Sequence, residues 1–215
     1  MHRNRKLKRI ILSALSVAFI SLLAAYILSG HDRALRILPV TPFIALSGLP
    51  VPEIPARAAD LVHAAAPSGR EQTARDVLLA VATLARPGVL PYVVSAICHA
   101  HPEVAGITVA TAIELQPGAV LIFSKAAVCA APARAEQITF SACQAAPRSF
   151  ANVVLVIFRQ APSARDSILR GLINALPGLE TYLEAAALQT GTDELEPVIK
   201  QTVRLLTDAN KVNKK

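Results

Sequence analysis

Between Pro87 and Gly191 the apolar residues fall into fixed columns. Prolines stand at 87, 102, 117, 132, 147, 162 and 177, and cutting the chain at each gives seven segments of fifteen residues, with only Pro91 off the beat. The seventh position of these segments holds Val93, Thr108, Phe123, Ile138, Val153, Ile168 and Leu183. The twelfth holds Cys98, Ile113, Val128, Cys143, Phe158, Ile173 and Leu188, and the eleventh Ile97, Leu172, Ile157 and four alanines. Offsets of four and five trace a stripe along a helix, where a half-buried strand would alternate with period two. The chain is therefore an internal repeat, and the repeat organises every other inference.

Proline at the head of each segment fits a helix start, because the missing N–H has no intrahelical partner there and the fixed φ suits the first turn. One continuous helix is excluded, since each interior proline costs ~3 kcal/mol. Each segment predicts a helix of about 10 to 12 residues followed by a turn of about three to five. Isolated helices shorter than ~12 to 15 residues are marginal in water, so each must lean on neighbours. The expectation is an all-α fold: an α-solenoid-like array of short antiparallel helices with a 15-residue period, each in contact mainly with the preceding and following ones. The apolar run VVLVIF, residues 153 to 158, is expected to be the central, most buried helix. Ile138→Asp or Phe158→Asp is expected to unfold the array locally.

The repeats at 87–191 sit in a helical-repeat domain expected over 57–208. Ser68-x-x-Glu71 has the capping-box pattern and predicts a helix over about 69–85, with a shorter one over 57–65. After the array Thr192 replaces proline, and Pro197 restarts a helix to about Asp208, leaving a basic tail at 209–215. Residues 31–56 hold prolines at 39, 42, 50, 52 and 55 and are expected to be an extended tether.

The N-terminus reads differently. MHRNRKLKR carries five basic residues and no acid, and the nineteen residues from Ile10 to Leu28 carry no charge. As a helix that run would be ~28 Å long, close to the hydrocarbon thickness of a bilayer. Residues 1–30 are a signal anchor or a signal peptide. The anchor is favoured, because each candidate cleavage position places a large aliphatic where a small residue is needed. The excess of basic residues before the run puts the N-terminus in the cytoplasm, so the expected location is the bacterial inner membrane with the C-terminal domain in the periplasm, or secretion if the segment is cleaved.

A net charge of +7 invites a nucleic-acid reading, but the charge sits at the ends. From Pro87 to Gly191 six basic residues face six acidic ones, and the chain has no Trp and nine Phe plus Tyr in all. The body is neutral and lacks stacking platforms, so nucleic acid is excluded as a partner.

Candidate chemistry is thin. Cys98, His99 and His101 are the most ligand-like cluster, yet a closed zinc site needs four ligands and no second pair with matching spacing exists. Cys98 falls in an apolar column, where a buried thiol is expected. Cys129 and Cys143 end consecutive helices, which antiparallel packing would send to opposite edges, so all three cysteines are expected to be free thiols. No nucleophile elbow or glycine-rich phosphate loop is present, and Glu194 and Glu196 lie in a mixed-charge segment expected to be a solvated face. No catalytic, cofactor-binding or metal-binding residue is assigned, no cofactor is implied, and no small-molecule substrate is evident. These readings point to a non-enzymatic, membrane-tethered helical-repeat scaffold or protein-interaction module of the cell envelope, with a protein partner. The alternative is a secreted structural protein that self-associates.

Overall fold

Every proline on the beat heads the same local structure. In a computed structural model, which describes residues 42–84, 87–192 and 194–212, each of the seven opens a three-residue 3-10 turn that runs into an eleven-residue α-helix. These helices are α4 (Leu90–Ala100), α5 (Ala105–Leu115), α6 (Val120–Ala130), α7 (Ala135–Ala145), α8 (Phe150–Gln160), α9 (Arg165–Ala175) and α10 (Glu180–Thr190). Before them lie α1 (Pro42–Ser47), α2 (Ile54–Ala64) and α3 (Arg70–Thr83), and after them α11 (Leu195–Val212). No strand occurs among the described residues. The apolar run 10–28 lies outside them.

A single residue joins one helix to the next 3-10 turn. His101, Gln116, Ala131, Ala146, Ala161 and Leu176 share φ between −134° and −140° and ψ between 65° and 78°. Such an extended-side backbone is what a following proline imposes. Each joint residue donates its N–H to the carbonyl four residues back, as from Ala131 to Ala127 at 2.8 Å. Its own carbonyl accepts the N–H three residues on, as from Arg134 to Ala131 at 3.0 Å. Both backbone groups of the joint are thereby satisfied, and the proline removes the one donor that would have had no partner.

This joint keeps successive helices from running fully antiparallel. A tight helical hairpin needs a loop of about two to five residues, but three of the four turn residues are wound into 3-10 helix, and the chain stops short of a full reversal. Between Pro117–Ala130 and Pro132–Ala145 it turns through 118° instead. Each helix then packs most extensively on the helix two along, forming one column from α1, α3, α5, α7 and α9 and another from α2, α4, α6 and α8. Within a column the helices are parallel, because like positions meet. Arg70 at the start of α3 reaches Glu103 in the turn leading into α5, and Cys129 near the end of α6 reaches Gln160 at the end of α8.

Small residues set the spacing. At Gly106 on α5 a Cβ would lie 2.8 Å from side-chain atoms of Gln137 and Ser141 on α7. Most residues predicted as the stripe join one continuous core, with Val93, Phe123, Ile138, Val153, Ile168, Ile97, Ile157 and Leu172 all fully buried, whereas Phe158 and Ile173 are half buried and Leu188 is exposed. Thr108, Ser124 and Thr139 join them because each hydroxyl donates to the carbonyl four residues back in its own helix, at 2.7 to 2.8 Å. The most buried helix is α5, with seven of its eleven residues inside. In α8, where VVLVIF was expected to be central, only Val153, Val154 and Ile157 are buried. The column does not continue beyond α8: at Gly191 the backbone takes φ 60°, and α11, which packs mainly on α10, makes only a smaller contact with α8.

The flanks also depart from expectation. Residues 42–56 are not an extended tether: α1 buries Leu46, a 3-10 turn follows at Val51–Glu53, and α2 buries Ile54, Ala58 and Val62. Pro52 and Pro55 are accommodated because each lies in the first turn of its element, where no N–H is required. The Ser68–Glu71 capping box does not form, since α3 is entered through the 3-10 turn Pro67–Gly69 and Gly69 occupies the cap position without a side-chain bond. At the other end α11 continues to Val212, so residues 209–212 of the expected tail are helical.

Candidate functional site

The densest group of titratable side chains lies where the two columns meet near the N-terminal end. His101, the joint residue after α4, is 4% exposed, where the other joints carry Gln116, alanine or Leu176. Its ring stacks on that of His63 from α2, with centroids 5.4 Å apart and planes inclined by 29°. His101 Nδ1 faces Glu103 Oε1 at 3.5 Å, and Arg70 Nη1 donates to that same oxygen at 2.8 Å. One carboxylate thus ties α3 to the turn leading into α5 and touches the imidazole that closes α4.

Electrostatics follow from this placement. The Glu103 carboxyl is held below its ordinary range chiefly by its own backbone N–H, with partial burial opposing and Arg70 and His101 assisting. His101 Nε2 and Arg70 Nε are buried without a hydrogen-bond partner. The ligand-like cluster seen in the sequence does not assemble as one. His99 is exposed while Cys98 is buried in the core, and burial pushes the Cys98 thiol up to about 12. At neutral pH it is a thiol, which is neither a good nucleophile nor a good metal ligand. Among the described residues, no group of three or more His, Cys, Asp or Glu is placed to hold a metal ion.

The remaining thiols separate by column. Cys143 is buried with its pKa likewise raised to about 12, whereas Cys129 is exposed and donates to Gln160 Oε1 at 3.3 Å. Glu196 is not a bare solvated carboxylate: Lys200 Nζ lies 2.7 Å away and Arg159 of α8 lies 3.7 Å away, and the contact with Lys200 holds its pKa down.

Two open grooves also border the array. One, about 700 Å³, runs along α7 between Ala133, Arg134, Glu136, Gln137 and Phe140 and is closed by Asn174 of α9. The other, about 570 Å³, lies between Phe158, Arg165 and the start of α11. Sequence periodicity could not indicate either, because both are bounded by helices more than thirty residues apart. The His63–His101 stack was missed for the same reason.

Comparison with protein-family models, with curated proteins and with solved structures finds no match to this chain. Among the described residues no single helix is long and apolar enough to cross a membrane. The pair Pro117–Ala130 and Pro132–Ala145 has the length and composition, but its two halves diverge by 118°. Val120, Phe123, Ala127, Val128, Ile138 and Ala142 are spent on the core.

Proposed function

We propose that the protein is a non-enzymatic scaffold of the bacterial cell envelope: an α-solenoid, tethered to the inner membrane through residues 10–28, that offers the side of its array to a protein partner in the periplasm. The observation that carries this reading is the parallel stacking of each helix from α1 to α7 on the one two along. It repeats one surface at thirty-residue intervals, and extended surfaces of this kind are what solenoids use for binding. The groove on α7 is the recess best suited to a partner side chain or strand, with Phe140 as an apolar floor and Arg134, Gln137 and Asn174 as polar edges.

The non-enzymatic part of the reading is supported by the buried, protonated state of Cys98 and Cys143 and by the commitment of Glu103 and Glu196 to cations of the array. The test uses the full chain expressed with an affinity tag in its host. Membranes are washed with alkaline carbonate, and proteins cross-linked to the wild type are compared with those cross-linked to Arg134→Glu and Asn174→Ala. The reading expects the chain to remain in the membrane and one cross-linked species to be lost from the variants at unchanged helicity. A chain released to the medium as large homogeneous particles would overturn it in favour of self-assembly.

A further inference from the structure

The two ends of the array are finished differently. At the C-terminal end α11 turns Lys200, Arg204, Asp208 and Lys211 to solvent. The N-terminal end has no such polar cap. Phe43 and Ile44 on α1 are 43% and 66% exposed, and Val51 just beyond is 49% exposed. Ser47, Gly48, Pro50 and Pro52, also exposed, add no charge, and the first exposed charge after them is Glu53. Arrays of this kind need a polar outer face on their terminal units, and an apolar patch left open marks an interaction surface. Elsewhere Leu79 and Leu188 are exposed singly, and Tyr92 and Ile122 occupy equivalent positions of α4 and α6 on one column, away from this end.

We infer that this end is seated on the lipid bilayer, with Phe43, Ile44 and Val51 entering the boundary between headgroups and acyl chains. The inference rests on the membrane-anchored reading and goes beyond it, since a tether alone would let the array stand free of the surface. Two observations select lipid as the occupant. The apolar run ends at Leu28, so thirteen residues precede Pro42; at ~3.3 to 3.6 Å per residue they reach at most about 45 Å. α1 is therefore the first helix of the array to follow the membrane. The exposed side chains are a phenylalanine and branched aliphatics beside uncharged small residues, the composition of an interfacial face.

The chain contains no tryptophan, which makes the test direct. The full-length protein carrying Ile44→Trp is reconstituted into vesicles of phosphatidylcholine and phosphatidylglycerol with brominated acyl chains. Leu188→Trp, on α10 at a site 85% exposed, serves as reference. The expected result is a blue-shifted emission from the tryptophan at 44 and loss of its intensity to bromine, with the tryptophan at 188 red-emitting and unquenched. Equal quenching at the two sites in vesicles that resist carbonate extraction would overturn the seat and leave the anchor standing. A blue shift at 44 without bromine quenching would show that a protein surface covers the patch, and would likewise overturn it. Extraction of the chain by carbonate would remove the anchor, and the seat with it.

Discussion

Gly171 on α9 lies directly against the main chain of Glu136 on α7: a Cβ at 171 would stand 2.4 Å from the Glu136 carbonyl oxygen. An alanine there would gain about 1 kcal/mol of helix propensity. It would also force two packed backbones apart, and overpacking costs ~1 to 3 kcal/mol where nothing soft can yield. Gly171→Ala should therefore lower the midpoint of urea unfolding. At Gly106 the obstructing atoms are the Cγ of Gln137 and the hydroxyl of Ser141. Gln137 is exposed and flexible, so Gly106→Ala should shift the midpoint much less. Equal losses at the two glycines would contradict the parallel column packing.

The core makes a graded prediction. Ile138 is fully buried on α7, and truncation to alanine should cost about 2 to 5 kcal/mol. Ile138→Asp should leave no folded array, because a lone charge has no partner there. Phe158 is only half buried on α8, so Phe158→Asp should weaken the C-terminal end and spare α4 to α7. Hydrogen exchange resolved by segment separates these outcomes, and uniform deprotection by Phe158→Asp would be the contrary result.

How much of this was legible in the chain follows from what a column of residues can encode. Positions seven, eleven and twelve announced most of the buried side chains as far as Leu172, although Ala187 and Leu188 in the last repeat are exposed, and the prolines announced where each helix starts. Neither says which helix covers which, since Phe123 and Ile138 carry the same instruction to be buried whether their neighbours are one or two repeats away. The information lay in exceptions to the pattern. Gly171 stands where two backbones come close and Gly106 where the side chains of Gln137 and Ser141 come in, and His101 breaks a joint otherwise filled by Gln116, alanine or Leu176. The helix α1 was obscured by counting prolines without their positions: Pro52 and Pro55 mark first turns, not an absence of structure.

Glu103 gives the array a pH dependence of known sign. Its carboxyl titrates below the ordinary value of 4.5, held there by its backbone N–H and by Arg70 and His101. A carboxylate depressed by folding contributes stability that is present above the unfolded pKa and lost as pH falls through the folded one. Stability should accordingly fall on acidification below about pH 4.5, and Glu103→Gln should flatten part of that slope while slightly lowering stability at neutral pH. The difference will be modest because the side chain is 45% exposed and such pairs are weak. Identical slopes for wild type and variant between pH 3 and 6 would show that the contact with Arg70 contributes nothing.

The three thiols should separate by reactivity. Cys129 is exposed, whereas Cys98 and Cys143 are buried with pKa values near 12. A thiol-reactive chromophore should label one site per chain in the native protein and three after denaturation, and Cys129→Ser should abolish the native reaction. Rapid labelling of two or more sites without denaturant would mean that the core opens locally.

The one-residue joint also governs how such a chain can change length in evolution. Because each joint satisfies its own backbone groups and helices alternate between columns, excising two consecutive units, such as residues 117–146, leaves every later helix in its original column. Excising one transposes all of them to the opposite side. Viable descendants of this architecture should therefore differ by multiples of thirty residues, an even-number rule written into the geometry of a single extended residue before a proline.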